Sequence, residues 1–72
     1  MKTTKERVYE FIQKEIYTGH EYRDGLETRI IAEKMNMQRS NVSSLLNELV
    51  KEGLLIKTTN RPVLYQLPKQ TN

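Results

Sequence analysis

The sequence of 72 residues predicts a mainly α domain in which three helices precede a small two-stranded β-hairpin. Three observations lead there. Apolar residues recur at three- and four-residue steps in three separate segments, as helices that each bury one face require. Gly53 stands directly after the last of these segments, where a helix commonly stops in a left-handed turn. Beyond it the apolar period falls to two, the period of strands with one buried face.

The first helix is expected to start at Thr3, because Glu6 three residues later completes a capping box, in which hydroxyl and carboxylate each satisfy a backbone N–H at the helix start. Val8, Phe11, Ile12 and Ile16 form its buried stripe and Lys5, Glu6, Glu10, Lys14 and Glu15 its wet side. Thr18 and Gly19 end it. Residues 19–27 (GHEYRDGLE) have two glycines and mixed charge without a period, and read as a loop with a short strand at Leu26. Thr28 is the expected N-cap of a short second helix with Ile31, Ala32 and Met35 on its apolar face, ending near Asn36. After a break at residues 36–38, Val42, Leu45, Leu46, Leu49 and Val50 mark the third helix, the strongest periodic pattern in the chain. Leu54 can fold back on Leu49 or Val50 across the Gly53 turn.

Residues 54–57 and 63–67 read as strands joined by a polar turn at 58–61. Val63, Tyr65 and Leu67 share one face, Leu64 and Gln66 the other, and Pro62 sits at a strand start where no N–H is needed. Tyr65 is expected to pack against helix three, Met35 and Met37 to fill the core, and Tyr9, Tyr17 and Tyr22 to lie at its edge. The domain is expected to span residues 1–68, with a frayed polar tail at 69–72.

Composition narrows the function. A chain this short buries only about 60% of its unfolded surface and has little core to give up to an enclosed pocket. Cysteine is absent, which removes disulfides, thiolate nucleophiles and cysteine zinc sites and fits a reducing cytoplasm. The one histidine, His20, cannot build a metal cluster and reads as a solvated loop residue; no metal and no cofactor are expected. The longest apolar runs are three residues, against the roughly 20 that a membrane helix needs. No nucleophile, base and orienting group can be drawn together, so catalysis is not expected. Net charge is +3, and placement matters more than size: residues 29–61 hold six basic side chains against three acidic, residues 1–28 five against six. A near-neutral support with a basic centre points to a polyanionic partner.

Helix, short helix, break, longer helix and hairpin is the order of a winged helix-turn-helix domain. The run IAEKMNMQRSNVSSLLNELVKEGLLIKTTNRPVLYQL (residues 31–67, about half the chain) resembles the bacterial winged-helix pattern: an early alanine in helix two, a polar break, V-x-x-L-L-x-x-L, then G-L and a wing. More narrowly, MQRSNV (37–42), NELVKEG (47–53) and RPVLY (61–65) are similar to the amino-terminal DNA-binding domain of LevR-type sigma-54-dependent activators, which regulate sugar phosphotransferase operons. The resemblance implies a cytoplasmic bacterial transcription regulator whose DNA-binding module precedes an ATPase domain and regulatory domains. No G-x-x-x-x-G-K-[ST] phosphate loop occurs here, so the chain is expected to be either a fragment of such a regulator, the favoured reading, or a stand-alone module. The loop at 19–27 is longer than usual winged-helix connections.

With the apolar stripe of helix three turned inward, Arg39, Ser40, Asn41, Ser43, Ser44 and Asn47 remain outside, a set of donors and acceptors without a carboxylate. Such a face suits a major groove: arginine forks onto guanine, asparagine onto adenine, and serine serves bases or phosphate. Capping accounts for short polar residues near a helix start, but not for Ser43, Ser44 and Asn47 beyond the first turn, where alanine, lysine or glutamate form helix better. Lys57, Thr58, Thr59, Asn60 and Arg61 form the expected wing tip, with Arg61 the best phosphate or minor-groove contact and Lys57 a second candidate; for Lys57 and Thr59 a solvated turn is as good an account as contact. Arg29, Lys34 and Lys51 are candidates for backbone contact. RPVLY also resembles the wing of domains that bind left-handed nucleic acid, but Ser43 and Asn47 stand where those domains carry asparagine and tyrosine. The expected function is therefore sequence-specific duplex DNA binding. The alternative is a winged helix that docks proteins, which clustered exposed aromatics or leucines on helix three would favour. A single copy is expected to bind weakly, so affinity would come from a dimer or from oligomerisation through domains outside these residues; helix one has no sustained heptad.

Overall fold

A computed structural model describes residues 1–68, the side chain of His20 apart; the tail expected at 69–72 and the reading of that histidine lie outside the described residues. Three helices, α1 (Thr4–Thr18), α2 (Thr28–Met35) and α3 (Arg39–Lys51), are followed by a two-stranded antiparallel hairpin, β1 (Ile56–Lys57) and β2 (Tyr65–Gln66), the layout of a winged helix. A short 3-10 turn at His20–Tyr22 follows α1.

The capping box forms as expected. The Glu6 amide donates to Thr3 Oγ1 at 3.2 Å, and the Thr3 amide and hydroxyl each donate to the Glu6 carboxylate at 3.1 Å. These bonds, the Thr3 amide first, hold the Glu6 carboxyl below the ordinary carboxylate range. Val8 and Ile12 are fully buried and Phe11 and Ile16 pack half-buried beside them.

α2 and α3 end by one device. Asn36 (φ 55°) and Gly53 (φ 79°) each adopt left-handed backbone. The amide after each donates five residues back, Met37 to Ala32 O at 2.9 Å and Leu54 to Leu49 O at 3.0 Å, the bonds of a Schellman cap. The first of these turns sets α2 against α3; the second starts the wing. Because the Leu54 amide is spent on the helix end, the strand expected over 54–57 shortens to Ile56–Lys57, with Leu55 buried and Ile56 44% exposed.

Leu26 does form a strand-like bridge. It exchanges backbone hydrogen bonds with Tyr65, Leu26 N–H to Tyr65 O at 3.1 Å and Tyr65 N–H to Leu26 O at 2.9 Å, adding a third antiparallel member to the hairpin. The same bridge corrects the expected cap of α2. Leu26 is pinned extended, Glu27 takes the N-cap conformation and its carbonyl accepts from the Ile30 and Ile31 amides; Thr28 is already helical and caps nothing. The core is Val8, Ile12, Leu26, Ile31, Ala32, Val42, Leu46, Leu49, Leu55 and Tyr65, with no charged residue in it. Each fully buried aliphatic side chain contributes about 1.5–3 kcal/mol. Met35, Met37, Tyr9 and Tyr22 pack around this core as expected, but Tyr17 is 72% exposed and does not edge it.

Two outcomes test this account. Gly25 has φ 118°, and a Cβ there would stand 2.8 Å from Tyr65 O, whereas at Gly53 it would meet open space. Gly25→Ala is expected to cost about 1–3 kcal/mol from backbone strain, with the clash adding to it, and Gly53→Ala only about 1 kcal/mol, as read by urea unfolding. The Glu6 pKa is lower in the folded chain than in the unfolded one, so its contribution is complete above the ordinary value of 4.5 and is lost as pH falls through the folded value. The melting temperatures of wild type and Glu6→Gln should therefore converge on acidification.

Candidate nucleic-acid interface

The apolar stripe of α3 (Val42, Leu46 and Leu49, all buried) fixes which way the helix faces, and this leaves Arg39, Ser40, Asn41, Ser44 and Asn47 exposed with Ser43 half-buried. From Ser40 to Asn47 the helix rises about 10 Å, roughly three base-pair steps of B-form DNA. No acidic residue lies in its first turn, and Glu48 and Glu52 come only toward its end. The N-cap is Gln38, and no side chain makes a cap hydrogen bond there, so capping does not account for the polar residues that follow.

One hydroxyl of this face is partly engaged. Ser44 Oγ donates to Ser40 O at 3.1 Å, the back-bond by which serine satisfies itself inside a helix; its lone pairs remain open to a donor. Nothing in the sequence marks this bond apart from the four-residue spacing.

The basic residues sort into engaged and unpaired. Arg29, about half exposed, lies between Glu27 (3.3 Å) and Glu33 (3.5 Å), which compete with a phosphate for its guanidinium. Lys34 Nζ sits 5.5 Å from the centre of the Tyr22 ring. Lys5 on α1 pairs with Glu52 after α3, and this hydrogen bond raises the Lys5 pKa above its ordinary value. Glu52 is thereby neutralised at the end of α3. Among the described residues, and besides Lys34, the exposed cations in no ion pair are Arg7, Lys14, Arg23, Arg39, Lys51, Lys57 and Arg61. The last four belong to α3 or the wing.

The wing is smaller than the sequence suggests. Thr58 is half-buried and bonded to Leu64, so it closes the base of the loop; Thr59, Asn60, Arg61 and Pro62 form the exposed tip. Tyr65 is 3% exposed and part of the core, unavailable as an aromatic contact.

Away from this face a shallow cleft of about 190 Å³ is lined by Tyr9, Gln13, Tyr17, Leu54, Leu67 and Pro68, with no carboxylate, histidine or lysine. Among the described residues no group of acidic or histidine side chains could hold a metal ion. Among the described residues no helix is long and apolar enough to cross a membrane. No protein-family model matches the chain, and no curated protein or solved structure matches it.

Serine and asparagine at solvated mid-helix positions cost about 0.5 kcal/mol each against alanine. Ser44→Ala and Asn47→Ala should each raise stability by that amount in urea titrations. Ser40→Ala should cost far less than the roughly 1 kcal/mol of a lost cap.

Proposed function

We propose that this chain binds duplex DNA with sequence preference, as the DNA-binding domain of a transcriptional regulator. α3 enters the major groove and the wing tip lies on the backbone or in the minor groove. The observation that carries the reading is the outward face of α3: an arginine, two asparagines and three serines within nine residues, no carboxylate in the first turn, and Arg39 unpaired among the described residues. A merely solvated face would favour better helix formers. Arg39 has the donor fork for guanine, Asn41 and Asn47 the amide pair for adenine, and the serines serve either a base edge or a phosphate. Lys51, Lys57 and Arg61 supply positioning charge from both sides of that face. Within this reading, the likeness of residues 37–42, 47–53 and 61–65 to LevR-type activators makes a sigma-54-dependent regulator of phosphotransferase genes the parent of the module. The same reading makes the chain a non-enzymatic, cytoplasmic domain that gains affinity from a dimer or from oligomerisation through domains outside these residues.

The test is fluorescence anisotropy with a labelled random-sequence duplex over a salt series. The logarithm of affinity should fall linearly with the logarithm of salt concentration. An Arg39→Ala, Arg61→Ala double variant should bind more weakly with a slope lower by about 1–2. On a selected high-affinity site, Arg39→Ala should relax discrimination by about 1–3 kcal/mol, while Arg29→Ala, whose guanidinium is held by two carboxylates, should bind nearly as wild type. Absence of binding at low salt would overturn the proposal and favour a protein-docking winged helix.

A further inference from the structure

We propose that Thr58 is a positioning residue that sets where the wing presents Arg61, and does not itself contact nucleic acid. The proposal deepens the duplex-binding reading and rests on it for its functional consequence. The hairpin register pairs Ile56 with Gln66 and Lys57 with Tyr65, so the next residues to face each other are Thr58 and Leu64. An uninterrupted antiparallel ladder would join that pair by two backbone bonds. Only one is a backbone bond here. The Thr58 amide donates to Leu64 O at 2.9 Å, but the Leu64 amide donates to Thr58 Oγ1, also at 2.9 Å. A side-chain oxygen replaces the carbonyl, the ladder ends, and residues 59–63 leave as a closed loop of which Arg61 is the middle residue.

The rest of the hairpin is braced from the opposite side. Tyr65 is bonded to Leu26, and Gln66 Nε2 donates to Asp24 O at 2.6 Å. The Thr58 hydroxyl is therefore the last fixed point before the exposed tip. A half-buried amide that loses its partner opens toward water, and the loop it closes loses its exit direction. The sequence reading places Thr58 with its polar neighbours in the wing tip; only the register separates them.

Thr58→Val keeps the shape and removes the acceptor, and Thr58→Ser keeps the acceptor. The proposal expects Leu64 amide exchange to accelerate and the Asn60 and Arg61 amides to lose order in relaxation measurements for Thr58→Val only, with α2 and α3 resonances unmoved. On duplex DNA, Thr58→Val should weaken binding about three- to tenfold, as loss of one charged contact would. Thr58→Ser should bind as wild type, and adding Thr58→Val to Arg61→Ala should cost nothing more. Thr58→Ser as weak as Thr58→Val, effects that multiply with Arg61→Ala, or an unchanged Leu64 amide would overturn it. If the wild-type chain binds no duplex, the functional reading fails by itself, and the amide measurements still decide whether Thr58 positions the tip.

Discussion

The reciprocal pair of backbone bonds between Leu26 and Tyr65 is the contact on which the remaining structure depends. It joins two segments 39 positions apart, both side chains are buried, and it fixes the chain on either side. Toward α2 it delivers Glu27 in extended conformation, so the helix starts there. Toward the wing it anchors β2, and through the register it anchors β1. A two-stranded hairpin alone is marginal in water, and the third member with its buried leucine converts it into part of the core. Gly25 permits this approach because the position next to Leu26 has left-handed backbone in contact with the Tyr65 carbonyl.

Two helix ends then distribute the exposed surface. Asn36 and Gly53 terminate α2 and α3 by the same hydrogen-bond pattern, and each sends an apolar residue, Met37 or Leu54, back against the core. With both ends of α3 set and its leucine stripe buried, its opposite face has no freedom but to meet solvent. That face is made of poor helix formers, so local stability does not explain it. Carboxylates hold Lys2, Lys5 and Arg29, while the cations of α3 and the wing, like Arg7, Lys14 and Arg23 elsewhere, are in no ion pair among the described residues.

Much of the candidate site was legible in the sequence. Arg39, Ser40, Asn41, Ser44 and Asn47 are exposed because the stripe at Val42, Leu46 and Leu49 settles their orientation, and a period can be read without coordinates. Ser43 is half-buried because it flanks that stripe. Lys57 and Arg61 are exposed for a similar reason, lying at and beyond the end of a short hairpin. The surroundings of Thr58 and Arg29 were not legible. Each has a partner, Leu64 for one and the two flanking glutamates for the other, and composition shows which residues are present without showing which of them pair.

The order of elements, the capping box, the left-handed stop at Gly53 and the buried stripes follow from the sequence by itself, because each depends on residues within about five positions of one another. Tertiary structure alone decided the Leu26–Tyr65 bridge, the start of α2 at Glu27, the outward turn of Ile56 and Tyr17, and the closure of the wing on a threonine hydroxyl. These are contacts between distant segments, or consequences of them. Which distant segments meet is settled by how one small core closes, and that depends on the whole chain at once.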